Sequence, residues 1–473
     1  MKGHKHLTIV IKLGSSSIVH EKTHEPLLSI LSLIVETAVA LIKDGHRVVI
    51  VSSGAIAVGL RRMGVEKRPK HLPRIQALAA VGQCRLMSLW ESLFAHLRQP
   101  VAQILLTRND IADRTQYRNA QNTFTELFNM GVIPIVNEND TLAVSEIRQI
   151  EKFGDNDTLS AITAAMVQAD YLFLMTDVDC LYDKNPRTHP DAQAIEVVED
   201  VSSLEADVSS AGSSLGTGGM STKIVAARLA TSAGVTTVIT RSSNPGNIVN
   251  IINYVQSQKA AELPSDVPSN QATPAENTPL SSSISSLHVD ALPTPPLHTR
   301  FIPDPFPIRD RSFWLLHGLA AHGTLYIDHG AHRALASKAG LLPAGIVDVE
   351  GHFAQQEAVR LVVVERNPPI PQEKVNKTNV ATVSSAGNED RVDGGGVPVD
   401  VVVAPVEVGR ALVNYSAAEI MRIKGMKSTE IGAVLGYADS EYVALRENVS
   451  LTKREKSRPV TPSANSSSAA QAN

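Results

Sequence analysis

The sequence predicts an α/β chain in two parts: a larger domain with a mostly parallel sheet between layers of helices, then a small β-rich, barrel-like module. Three observations predict it. Apolar β-type runs alternate with longer helical patterns from residue 7 to about 256, which is the signature of strand–helix–strand units covered on both faces. Beyond residue 300 the apolar runs are short and closely spaced, as expected for a compact β-rich fold. Between them, residues 257–299 are rich in Ser, Pro, Thr and Ala with few large apolar groups, the composition of a disordered linker.

Residues 7–13 form a buried-strand pattern, ended by Gly14-Ser15-Ser16-Ser17, which reads as a flexible, amide-rich turn. A helix over 27–43 is closed by Asp44-Gly45, and a strand over 47–51 by Ser52-Ser53-Gly54 ahead of a new helix from Ala55. The helix 73–97 carries small residues at Ala77, Ala79, Ala80 and Gly82. Strand 101–106, helix 115–130, strand 132–136, helix 158–166 and strand 171–175 follow. A helix over 222–234 with a Gly stop leads into the strand 235–239. In the second module, 323–328, 345–349, 358–364, 399–405 and 411–415 read as strands, with helices over 332–339 and 417–423. Residues 367–398, rich in Pro, Asn, Lys and Gly, read as a loop insertion, and the tail 453–473 as disordered. The expected organisation is therefore 1–256, a linker 257–299, 300–452 and the tail.

A chain of 473 residues with 43% hydrophobic content holds two or three domains; at 4% aromatic, its core must be mainly Val, Ile, Leu and Ala. The formal net charge of −4 argues against a protein that coats nucleic acid. Cys84 and Cys180 are the two cysteines, each amid apolar neighbours, so no disulfide framework is expected. The first residues run into a strand without an apolar leader, and the most apolar helix is interrupted by Ser29, Ser32, Glu36 and Thr37. That helix is too short and too polar to span a bilayer, so a soluble, cytoplasmic chain is expected.

The chemistry concentrates in a few strings. Asn137-Glu138-Asn139-Asp140 follows an apolar strand, and Gly154-Asp155-Asn156-Asp157 precedes a buried helix. Either cluster alone reads as a turn or helix cap. Two clusters with an Asn-Asp core point to a polar-ligand pocket, which in open α/β sheets forms outside the carboxyl ends of the strands. Lys12 stands at the end of the first strand beside amides able to wrap phosphate oxygens, although alone it also reads as a solvated strand-end lysine. Ser52-Ser53-Gly54-Ala55 repeats that arrangement on the next strand. Gly216-Thr217-Gly218-Gly219-Met220-Ser221-Thr222-Lys223 opens a helix with the composition of a phosphate cradle, yet it is neither a Walker A loop nor a dinucleotide fingerprint. Thr176 and Asp177 lie just past a buried strand, where they could meet a nucleotide or only form a turn. Two lysines on separate glycine-rich loops suggest phosphoryl transfer. No His occurs in these motifs to act as a general base, and a carboxylate acceptor, ionised at neutral pH, needs none.

Taken in order, Ile11-Lys12-Leu13-Gly14-Ser15-Ser16, Ser52-Ser53-Gly54-Ala55-Ile56-Ala57, Leu105-Leu106-Thr107-Arg108, the two Asn-Asp clusters and the string from Gly216 to Lys223 closely resemble the glutamate 5-kinases of the amino-acid kinase family, with a C-terminal PUA-like domain. Arg85-Leu86 and Leu89-Trp90-Glu91 are also similar to that family. The resemblance covers 7 to about 256, 300–366 and 399–450; the inserts depart from the compact bacterial pattern. It implies an amino-acid-kinase-like three-layer sandwich that phosphorylates the L-glutamate side chain with ATP and Mg²⁺, the first step of proline synthesis, under feedback inhibition by L-proline. On this resemblance Ser53, Asp140 and Asn156 hold glutamate. Thr176, Asp177 and Thr217, Gly218, Gly219, Met220, Ser221, Thr222 and Lys223 hold ATP. Lys12 and Lys223 stabilise charge on the transferring group, and Asp157 orients the lysines. No carboxylate cage for a metal is visible, so Mg²⁺ would ride on the ATP phosphates. Proline inhibition is expected to act through the loops carrying Ser53 and Asp140 to Asn156. The resemblance also implies a homo-oligomer and, with no reductase-like region after residue 450, a glutamyl-phosphate reductase acting in trans.

Two rival readings remain. PUA-like modules occur in RNA-modifying enzymes, but residues 300–366 hold seven Lys/Arg against seven Asp/Glu, not the cation excess that phosphate binding needs, so a nucleic-acid partner is not expected. A kinase of the same fold acting on aspartate, acetylglutamate or carbamate is the other, disfavoured by the paired clusters and the second domain.

Overall fold

The computed structural model describes residues 6–142, 156–186, 188–201, 204, 219–261, 295–308, 310–365, 406–438 and 440–452. The chain divides into two compact units, Met1–Gly318 and Leu319–Asn473.

The first unit is built on β1 (Thr8–Leu13), β2 (Arg47–Ser52), β3 (Val101–Leu106), β4 (Ile133–Glu138) and β5 (Tyr171–Thr176). The short β6 (Leu181–Tyr182), β7 (Ala194–Ile195) and β8 (Val197–Val198) follow, then β9 (Thr236–Arg241) and β10 (Thr299–Phe301), with helices α1 (Ser15–Ile18), α2 (Leu28–Lys43), α3 (Ala55–Arg62), α4 (Leu72–His96), α5 (Arg108–Ala112) and α6 (Arg114–Asn129) among the earlier strands. Among the described residues eight strands form one sheet in the order β3-β4-β2-β1-β5-β9-β10-β8. The pairings from β3 through β9 are parallel, and β10 runs antiparallel to β9. β1, β4 and β5 are buried at every position, which explains their continuous apolar character. The edge strand β3 is mostly half-exposed.

Side chains alternate between the faces of a strand, and that alternation sets up the site. Ile9, Ile11 and Leu13 join the core formed with Ile34, Val35, Trp90, Phe94 and Ile251. Lys12 shares its parity with Val10, so it points to the other face. There α7 (Asn156–Met166) lies, buried almost throughout, and packs against β1 and α8 (Met220–Ser232). Small residues on both helices, among them Ser160, Ala161, Ala164, Ala226, Ala227 and Ala230, permit that approach.

A second close contact joins α3 (Ala55–Arg62) to α4 (Leu72–His96). A Cβ on Gly59 would fall 2.0 Å from the Leu78 carbonyl oxygen, and one on Gly82 1.7 Å from that of Ala55. The α3–α4 crossing therefore admits only glycine at these two points.

Several sequence expectations shift. Gly14-Ser15-Ser16-Ser17 is not an open turn: Ser15–Ile18 forms one helical turn, α1, closed by Ser17 N donating to Gly14 O and Val19 N to Ser15 O. The helix expected from 222 starts at Met220, placing Thr222 and Lys223 inside its first turn. The organisation expected for 257–299 and 300–452 also changes. Residues 247–261 are helical, so the domain does not stop at 256. Thr299–Phe301 pairs with β9 and β8 of the first sheet, Thr299 Oγ1 donates to Ile195 O, and the division falls after Gly318. The three-residue strand is too short to carry a readable period. Residues 143–155, 205–218, 262–294, 366–405 and 453–473 lie outside the described residues. With them go the predicted strand 399–405, the insertion 367–398 and the tail.

The described residues of the second unit carry a five-stranded sheet of β11 (Gly323–Ile327), β12 (Ile346–Gly351), β13 (Ala358–Val363), β14 (Val406–Leu412) and β15 (Val449–Leu451). Its order is β12-β11-β13-β14-β15; the β11–β13 pair is parallel and the other pairs antiparallel. Its core gathers Leu325, Ile327, Leu361, Ala411, Tyr415, Ile420 and Ile431. The expected helix 332–339 is found at His329–Ala336, capped by the Asp328 carboxylate accepting from Ala331 N. No described helix is long and apolar enough to cross a membrane.

Candidate active site at the carboxyl ends of the strands

The parallel strands deliver Lys12, Ser53, Asn137, Glu138, Thr176 and Arg241 to one end of the sheet. Asp157 is the second residue of α7 and fully buried. It is the hub. Lys12 Nζ pairs with Asp157 Oδ1, and Lys223 Nζ lies 3.3 Å from Asp157 Oδ2. The Thr222 hydroxyl sits 2.7 Å from Asp157 Oδ2 and 2.8 Å from Gly219 O. Burial by itself pushes the Asp157 carboxyl up, but the Lys12 and Lys223 ammoniums, with the Thr222 hydroxyl, outweigh it and hold the group well below the usual carboxylate range. Lys12 and Lys223 are themselves only 4% and 8% exposed. Two buried cations against one carboxylate leave a positive excess within the trio, a setting that attracts a polyanion.

Beside the trio lies a neutral hydrogen-bond chain. Asn156 Nδ2 donates to Ser53 Oγ at 2.8 Å and to Asn137 Oδ1 at 3.1 Å, and Asn137 Nδ2 donates to Gln83 Oε1 at 2.8 Å. Asn156 Oδ1 is buried and has no hydrogen-bond partner among the described residues, a vacancy that a bound donor could fill. Ser53 is held by its amide donating to Leu13 O at 3.0 Å. Gly54 follows with φ +105°, where a Cβ would also meet Ile18 Cδ1 at 2.9 Å; that turn requires glycine. Trp90 Nε1 donates to Ser52 Oγ at 3.2 Å and fixes the same strand end from α4.

Thr176 closes β5, with its hydroxyl 3.1 Å from Asp177 Oδ1. Asp140 is buried at 8% exposure near the end of β4. Gly219, Met220 and Ser221 form the approach and first turn of α8, whereas Thr217 and Gly218 lie outside the described residues. The structure thus joins Lys12, Asp157, Thr222 and Lys223 in one cluster and Ser53 with Asn156 in another; Thr176 and Asp177 pair with each other. Gln83, Trp90 and the Asp179–Arg241 pair were not singled out as site residues from the sequence. Their partners lie 38 to 62 residues away, and apart from the Leu89-Trp90-Glu91 string no local pattern marks them. Among the described residues no cluster of three or more His, Cys, Asp or Glu is arranged to hold a metal. Cys84 is free and exposed and Cys180 free and buried.

The amino acid kinase family model matches residues 7–241 and the PUA domain model residues 323–369. A "probable glutamate 5-kinase" of Schizosaccharomyces pombe is 50% identical over 446 residues, covering 94% of this chain and 93% of its own length. An uncharacterised protein of Saccharomyces cerevisiae is 44% identical, covering 94% of this chain and 98% of its own. The glutamate 5-kinase of a Cyanothece species is 43% identical, covering 94% and 99%. Identity at this level over almost the whole of both chains, with the lysine–aspartate cluster at the strand ends, shows that the chain belongs to the glutamate 5-kinases of the amino acid kinase family and carries a C-terminal PUA domain.

Proposed function

We propose that the chain transfers the γ-phosphoryl group of ATP to the side-chain carboxylate of L-glutamate, giving L-glutamyl 5-phosphate and ADP. A carboxylate oxygen attacks the γ-phosphorus while the bond to the β,γ-bridging oxygen breaks, so no proton has to leave the acceptor. Catalysis then rests on positioning and charge stabilisation. The observation that carries this reading is the buried Asp157 carboxylate with Lys12 and Lys223 on its two oxygens.

Lys12 and Lys223 neutralise charge on the transferring group, and Asp157 holds both ammoniums in place. Ser53 and Asn156 take glutamate, the orphan Asn156 Oδ1 accepting from its ammonium group, with Asp140 adding negative charge nearby. Thr176, Asp177 and the string from Thr217 to Lys223 take the nucleotide. Mg²⁺, when bound, would draw charge from the phosphates, carried mainly by ATP and water. The wider reading follows the resemblance: a cytoplasmic homo-oligomer opening proline synthesis, inhibited by L-proline, its labile acyl phosphate consumed by a separate reductase.

The test is hydroxylamine trapping of the acyl phosphate alongside ADP release, with ATP, Mg²⁺ and L-glutamate, with and without L-proline. Glutamate-dependent hydroxamate is expected, with kcat falling about 10²–10³-fold in Lys223→Ala, the usual loss when a group stabilising transition-state charge is removed. Turnover with aspartate or acetylglutamate but not glutamate would overturn the substrate; hydroxamate insensitive to L-proline would remove the feedback part.

A further inference from the structure

Arg241 ends β9, directly opposite Thr176 at the end of β5. Its Nε donates to Asp179 Oδ1 and its Nη2 to Asp179 Oδ2, both at 2.7 Å. This is the two-pronged fork that arginine forms with a carboxylate and lysine cannot. The next residue makes a second tie, Ser242 N donating to Thr176 O at 2.7 Å. The end of β9 therefore grips the chain at Thr176 and again at Asp179, and the short span between them contains Asp177.

Folding does not account for this pair. The Arg241 and Asp179 side chains are 40% and 35% exposed, and ion pairs so open to water add little stability. A rigid double tie across two strand ends restrains a loop, and here the loop is the one presenting Thr176 and Asp177. We propose that Arg241, acting through Asp179, is a positioning residue for the nucleotide: it holds the Thr176–Asp177 turn in the conformation that receives ATP. This rests on the reading of that strand end as the ATP site. Among the described contacts, none links the pair to Ser53 or Asn156, so the effect should fall on the nucleotide and spare glutamate.

The experiment compares wild type, Arg241→Gln, Asp179→Asn and the double variant. It measures KM for ATP, KM for glutamate, ADP binding by calorimetry and the thermal midpoint. The expected result is an ATP KM and an ADP Kd raised about tenfold in each single variant, as for loss of a ground-state binding contribution. The glutamate KM and thermal midpoint should stay near wild type. The double variant should be no worse than either single one, because both changes break the same tie. Equal rises in both KM values, an unchanged ADP Kd, or additive losses in the double variant would overturn the proposal. Tight ADP binding by a wild type that gives no hydroxamate from glutamate would sink the acceptor reading instead, and the ADP Kd series would still decide this one.

Discussion

In the first unit Lys12, Glu138, Asp140, Asp157 and Lys223 are each less than a tenth exposed, while in the second unit no described Lys, Arg, Asp or Glu is buried to that extent. The second unit keeps its ion pairs at the surface, as with Lys424 and Asp348, 2.6 Å apart with side chains 33% and 57% exposed. Withdrawing charges from water is costly, and a buried group that loses its partner is costlier still. Charges gathered inside one unit, and kept at the surface of the other, are what the proposed chemistry in the first unit requires. The contrast also separates two uses of an ion pair. At the surface it trims electrostatics; in the first unit it fixes two lysines around one carboxylate where a polyanion would meet them.

The most severe way to test that contrast is Asp157→Asn. It leaves Lys12 and Lys223 buried without their counter-charge, and about 3–5 kcal/mol of unfolding free energy should be lost, read from urea denaturation, together with hydroxamate formation. Acid should act in the same direction. The folded-state Asp157 carboxyl titrates below its unfolded value, so its stabilisation is complete at neutral pH. It is lost progressively as pH falls below the ordinary carboxylate range, and Asp157→Asn should flatten the acid limb of a stability–pH curve. Gly82→Ala tests packing without touching charge. Its Cβ collides with the Ala55 carbonyl oxygen, and forcing α3 from α4 should cost about 1–3 kcal/mol. Because α3 begins directly after Ser53 and Gly54, glutamate KM should rise with it. The smallest effect belongs to Asp348→Asn, expected within about 0–1 kcal/mol. A loss there matching that of Asp157→Asn would break the comparison.

Much of the candidate site could be read locally. Lys12, Ser53, Asn156, Asp157, Thr222 and Lys223 all sit at junctions between apolar runs and turn-forming strings, where strand ends and helix starts are expected. Even the face taken by Lys12 follows from the period of two that carries Ile9, Ile11 and Leu13 into the opposite core. What could not be read were pairings across distant stretches. Asp179 and Arg241 are separated by 62 residues, and Asn137 and Gln83 by 54. The place of 299–301 in the first sheet was hidden for the same reason: a three-residue strand is defined by the neighbour it joins, not by its own pattern.

Composition, periodicity and turn chemistry thus determined the α/β class, the strand ends and the residue types gathered there, because those depend on short stretches of chain. Tertiary structure decided who meets whom. The order β2-β1-β5-β9 sets Ser53, Lys12, Thr176 and Arg241 along one edge, and the packing of α7 on β1 and α8 lets a single carboxylate reach two lysines. Strand order and helix packing are fixed by burial of whole faces against one another, and no single stretch of sequence contains both sides of that contact.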